Sequence, residues 1–164
     1  MKIAFIGQKG IPASLGGVER HVEEIATRMA KLGHEVFVYV RNNYTDKKFK
    51  EYKGVKLIHL PNIPTKHLDA ISHTFLATLH ALFQKYDVIH YQAIGPSSLS
   101  WIIKLLKRNV ILIATFHCQD YYHQKWGLVA RTYLHFSEYI TCKTPRRTIL
   151  SPKQKLVYFK RTIQ

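Results

Sequence analysis

Lys2-Ile3-Ala4-Phe5-Ile6-Gly7-Gln8-Lys9-Gly10-Ile11-Pro12-Ala13-Ser14-Leu15-Gly16-Gly17-Val18-Glu19-Arg20 joins a short apolar run, a glycine-punctuated loop and the start of an amphipathic helix. Lys2 to Ile6 reads as a buried strand. In the helix, Val18, Val22, Ile25, Met29 and Leu32 recur at steps of four and three, which predicts one apolar face. Gly16 and Gly17 fall just before its first turn. Lacking Cβ atoms, they let backbone amides close on a ligand, and the helix N-terminus adds unpaired N–H groups and partial positive charge suited to an anion. The spacing is not the dinucleotide fingerprint G-x-G-x-x-G. Its tight turn is replaced here by a loop long enough to act as a flap.

Outward from this segment, strand and helix signals alternate, which predicts an α/β fold with a parallel sheet covered on both faces. Glu35 to Arg41 is the second strand, Asn42 to Gly54 a lysine-rich connection, and Val55 to Leu60 the third strand, closed by Pro61 and Pro64. A helix is expected from about His67 to Tyr86, with Leu68, Ile71, Phe75, Leu79 and Leu82 as its core stripe. His73 and His80 on that helix read as packing residues, since no carboxylate or cysteine completes a metal shell. Asp87 to Tyr91 is the fourth strand, a helical stretch from Gly95 to Lys107 follows, and Val110 to Phe116, the most continuously apolar run, is expected at the centre of the sheet. A helix from Trp126 to about Thr144 completes the pattern. His117, just past a strand's carboxyl end, stands where open α/β sheets place their ligands.

The glycine pair with its helix, Gly16-Gly17-Val18-Glu19, followed by Leu32-Gly33-His34-Glu35-Val36-Phe37-Val38 and later by Asp87-Val88-Ile89-His90, resembles the opening of glycosyltransferase family 4. These are retaining, nucleotide-sugar-dependent enzymes built from two facing Rossmann-like domains, the GT-B arrangement. Within the family the "GGVE" run is most similar to bacterial enzymes of surface-polysaccharide assembly, a rhamnosyltransferase-like subgroup. The resemblance implies a Rossmann-like doubly wound sheet forming the N-terminal, acceptor-side half of such an enzyme. It also implies that Gly16 and Gly17, with Gly10 more weakly, face the donor diphosphate. By the same resemblance His117 approaches the donor sugar as the catalytic-site histidine, and Asp120, His90 and Glu19 line the acceptor side. No cofactor or metal is implied beyond the nucleotide-diphosphate sugar itself, and the acceptor is a carbohydrate or a lipid-linked glycan.

The family's second domain, which grips the nucleotide and carries two glutamates seven residues apart, has no counterpart after Asp120, where Glu138 is the only acidic residue. Residues 1–164 are therefore read as one domain, half of a two-domain enzyme and inactive alone. Lys and Arg number 25 against 10 acidic residues, a formal charge of +15 that favours anionic partners. Nucleic acid, anionic lipid and phosphorylated small molecules all fit that sign. No nucleic-acid-binding signature accompanies the basic residues, so nucleic acid is not expected. Cys118 and Cys142 lack C-x-x-C spacing and suit a reduced compartment. With no signal peptide and no apolar run approaching about twenty residues, a cytoplasmic protein, peripheral on the inner membrane face, is expected. The competing reading is a non-catalytic module that binds phosphate, glycan or membrane.

Overall fold

A computed structural model describes residues 1–14, 16–65, 68–117, 128–145 and 147–150. The strands are β1 (Lys2–Ile6), β2 (Glu35–Arg41), β3 (Glu51–Tyr52), β4 (Val55–Leu60), β5 (Val88–Gln92), β6 (Ile111–Phe116) and β7 (Arg147–Leu150). The helices are α1 (Gly17–Lys31), α2 (Leu68–Phe83), α3 (Ile94–Ser97), α4 (Ser100–Leu106) and α5 (Leu128–Lys143). The sheet runs β3-β4-β2-β1-β5-β6-β7, parallel throughout except for β3. Disregarding β3, this is the doubly wound Rossmann order, in which the chain winds outward in one direction from β1 and in the other from β5. The α/β parallel-sheet expectation is met. The run predicted to be central is paired on both sides but lies one strand in from the β7 edge, and β1 holds the middle.

Alternation along each buried strand sends residues to two separate cores. Ile3 and Phe5 join Val36, Val38 and Val40 beneath Val22 and Ala26 of α1. Ala4 and Ile6 face the other way, joining Tyr39, Ile89 and Tyr91 under Ala77 and Ala81 of α2 and Ile103 of α4. On α1 the expected stripe is buried through Val22, with Ile25 and Met29 packed partly against the core, whereas Leu32 at the frayed end is exposed.

On α2 the expected stripe is buried only in part: Leu82 packs against the core and Ile71 and Leu79 are half-buried, but Leu68 and Phe75 are exposed. The face against the sheet is His73, Thr74, Ala77, Thr78 and Ala81, while Leu68, Phe75, Leu76 and Phe83 are exposed among the described residues. The cause is volume and polarity on the sheet side. Tyr39, Tyr86 and Tyr91 are large, so apart from His73 the buried helix residues are small, and the phenols need partners. Thr78 meets the Tyr91 hydroxyl at 3.0 Å, and the Tyr39 hydroxyl reaches His80 Nδ1 at 2.8 Å and Tyr86 at 3.2 Å. His73 and His80 are thus packing residues, as expected, and no group of three metal-ligating side chains occurs among the described residues.

The connection between Asn42 and Gly54 also contains a strand that periodicity did not announce. β3 folds back on β4 through Lys53 and Gly54, both at positive φ, which is the backbone of a two-residue hairpin turn. No helix among the described residues is long and apolar enough to cross a membrane.

Candidate functional site at the carboxyl edge of the sheet

The two directions of winding part between β1 and β5, so a crevice opens beyond their carboxyl ends. At its floor the chain leaves β1 through Gly7, where an added Cβ would stand 2.5 Å from the Gln92 carbonyl and 2.8 Å from Pro96 Cβ. Only glycine lets β1 turn this close to β5. Beyond Gly7 the loop is pinned rather than free to swing as a flap. The Lys9 N–H donates to Glu19 Oε1 at 3.2 Å, the Ala13 N–H to Glu23 Oε2 at 2.7 Å, the Ser14 N–H to the Tyr44 hydroxyl at 3.1 Å, and the Thr45 hydroxyl to the Ile11 carbonyl at 3.2 Å. Gly10 is buried in this strap, where a side chain would collide with Thr45 Oγ1.

The strap delivers the chain to α1 at Gly16, whose φ of 105° is a conformation that side chains rarely adopt. No side chain caps the helix start. Glu19, in the first turn, is buried, and its carboxylate lies where a Cβ on Gly16 would fall. Gly17 is exposed with open space around it, so of the two glycines it is the one whose backbone a ligand can approach without displacing a side chain.

Across the crevice, His117 follows the end of β6, and its Nε2 is 2.7 Å from Oε1 of Gln92, the last residue of β5. Gln92 is fully buried, and its Nε2 has no hydrogen-bond partner among the described residues. A buried amide hydrogen left unpaired is costly. His21, one turn into α1, stands edge-on to His117 with ring centroids 4.8 Å apart, and burial lowers its pKa. Beneath them His90 is closed off from solvent, tilted on Phe5 at 5.1 Å with Nε2 2.7 Å from Thr115 Oγ1. Burial first, then the neighbouring His21 and His117, push its pKa down to about 3.

The structure therefore brings Gly16, Gly17, Glu19, His90 and His117 to one edge, places Gly10 in the packing of the strap, and leaves Asp120 and Cys118 outside the described residues. His21 and Gln92 were not anticipated. Gln92 was findable as the last residue of a strand beside the switch point, whereas His21 carries no signal until α1 is docked. The concavities found along Leu105–Val110 and by Thr144 lie at the opposite, amino edge of the sheet.

The profile of Glycosyltransferase Family 4 matches residues 15–155 of the chain. A comparison with curated proteins finds no match. Among solved structures, the chain superposes on sucrose-phosphate synthase from Thermosynechococcus elongatus with a TM-score of 0.76 at 18% identity, covering 98% of this chain and 44% of that one. At that identity the likeness concerns the fold, which is that of the N-terminal half of a GT-B enzyme, and the chain spans less than half the length of that protein. With the family profile covering most of its length, the chain belongs to glycosyltransferase family 4.

Proposed function

We propose that the crevice at the ends of β1, β5 and β6 receives the sugar and diphosphate of a nucleotide-sugar donor. In this reading the chain is the acceptor-side half of a retaining transferase that acts on a glycan or lipid-linked acceptor in surface-polysaccharide assembly, at the cytoplasmic face of an anionic membrane. The observation that carries the reading is the convergence, at the switch point, of the uncapped start of α1 with the buried Gln92 and His117 pair. A departing diphosphate gains charge as the glycosidic bond breaks, and the first-turn N–H groups beyond Gly16 and Gly17 are oriented dipoles suited to it. His117, with its ring fixed by Gln92, is a group suited to holding a sugar hydroxyl so that the anomeric carbon stays aligned. Asp120 is assigned to the acceptor side on the family resemblance, whereas His90 and Glu19, given the same role by that resemblance, are buried and support the crevice and its strap from below, as does Gly10.

The two glycines separate ligand approach from fold. Gly16→Val strains the backbone and drives the Glu19 carboxylate out, so it disturbs the loop itself. Gly17→Val projects into open space, leaves the melting temperature close to that of the parent, and obstructs the helix start. The test is saturation-transfer NMR of the chain against a panel of uridine, guanosine and thymidine diphosphate sugars. Contacts are expected at the sugar protons, weakened about tenfold or more by Gly17→Val and by His117→Ala. Binding that both well-folded variants preserve would assign the loop to structure and overturn the site.

A further inference from the structure

The outward-facing apolar surface of α2 and α4 has no partner among the described residues and is edged by cations. Phe83 is 84% exposed, Leu105 and Leu106 are each 63% exposed, and Trp101 is 47% exposed. Trp101 and Leu105 lie one turn apart and share a stripe of α4. The two helices are joined where they end, because the Lys107 ammonium donates to the Gln84 carbonyl just past α2. Lys104 likewise donates to the carbonyl of Lys143, the last residue of α5, at 3.0 Å. These lysines therefore sit at helix C-termini, where the partial negative charge holds them, and Arg108 follows directly.

From Leu68 to Val110 the chain carries four basic residues, Lys85, Lys104, Lys107 and Arg108, against two acidic ones. Asp69 is turned inward, whereas Asp87 is exposed, so one exposed carboxylate stands against the four cations. Asp69 pairs with Arg41 at 2.6 Å, and Asp87 accepts from the Lys2 N–H at 2.6 Å. The outer surface is accordingly positive as well as apolar. A second copy of a chain with a net charge of +15 would be repelled by it, which selects an anionic occupant.

We propose that this face of α2 and α4 is the surface on which the domain docks to an anionic lipid bilayer. Trp101, Leu105, Leu106 and Phe83 enter the headgroup region, while Lys104, Lys107 and Arg108 pair with lipid phosphates. The division of an interfacial segment into apolar wedge and basic rim is of this kind. The face lies away from the carboxyl edge of the sheet, so docking leaves the crevice open. The proposal rests on the membrane location in the reading above and assigns that contact to particular residues.

The experiment is cosedimentation of the full chain with phosphatidylglycerol vesicles and, separately, with phosphatidylcholine vesicles. Binding is expected to the first, falling steeply as salt rises, and not to the second. The pair Phe83→Glu and Leu105→Glu, both at exposed positions, keeps the parent melting temperature and loses binding by about tenfold or more. Arg108→Gln loses about fivefold. Absence of binding to phosphatidylglycerol at low salt overturns the proposal, as does equal binding to both lipids or binding that survives the glutamate pair. A solution dimer dissolved by the same pair would assign the face to a second copy instead. The nucleotide-sugar NMR measurement on the same proteins keeps the two readings apart. Lost vesicle binding with intact donor contacts removes only the docking surface, and the converse removes only the donor site.

Discussion

Two buried histidines give the domain an acid-sensitive core. His73 is fully buried on α2 with neither ring nitrogen in a proper hydrogen bond, and its pKa is pushed down to about 4. Burial is the main cause, the Arg41 charge adds to it, and the Val40 carbonyl and Asp69 oppose it weakly. His90 is held at about 3. Both values lie below the ordinary 6.5, so the unfolded chain binds more protons than the folded one once pH falls below that point. Their stabilising neutral state is complete above 6.5 and is lost progressively toward 4 and 3. Moving from neutral pH to about pH 5 should cost roughly 2 kcal/mol from each histidine, read as a falling urea midpoint. His73→Met should flatten the curve by about half. A midpoint unchanged over that range would show that the rings are not confined in their neutral form.

At the level of elements, the sequence made most strands legible because their apolar runs are short and bounded by polar or turn residues. It misplaced part of the buried face of α2, and for a physical reason. Periodicity ranks residues by apolarity, whereas the bulky Tyr39, Tyr86 and Tyr91 beneath α2 select small and hydroxylated partners. Along the carboxyl edge, His117 was legible from its place after an apolar strand and Gln92 was open to the same reasoning, while His21 became visible only with tertiary pairing across the crevice. The junction of β2 with α2 was also hidden. Arg41, 5% exposed at the end of β2, pairs with Asp69 of α2 at 2.6 Å, and its NH2 reaches the Gly7 carbonyl at 3.4 Å. Asp69 also accepts from Asn62 at 2.6 Å. Removing one partner strands a buried charge, so Asp69→Ala should lower stability by about 3 kcal/mol in urea unfolding. The double change Arg41→Met with Asp69→Leu should recover most of that loss, since an apolar pair has no charge to desolvate. Equal stability of Asp69→Ala and the parent would mean that the pair is solvated and contributes little.

For the whole molecule, the described residues supply one wall of the crevice. Gly16, Gly17, His21, Gln92 and His117 all approach from the carboxyl edge of a single sheet, and the nearby strap is held by Glu19 and Glu23 of α1 and by Tyr44 and Thr45 rather than poised to close. Transfer with retention depends on fixing the donor's anomeric carbon against the acceptor in a site that excludes water, and positioning of this kind is worth roughly 7–11 kcal/mol in well-oriented systems. A single wall can bind part of the donor but cannot fix it from both sides. The reading of the chain as half of a GT-B enzyme therefore predicts no measurable sugar transfer by these 164 residues alone. The check is release of nucleoside diphosphate from a panel of nucleotide sugars, with and without simple glycan acceptors. A flat trace is expected even at protein concentrations where NMR detects donor contacts. Sustained turnover, abolished by His117→Ala, would establish that one sheet edge suffices for catalysis and would remove the need for a facing domain.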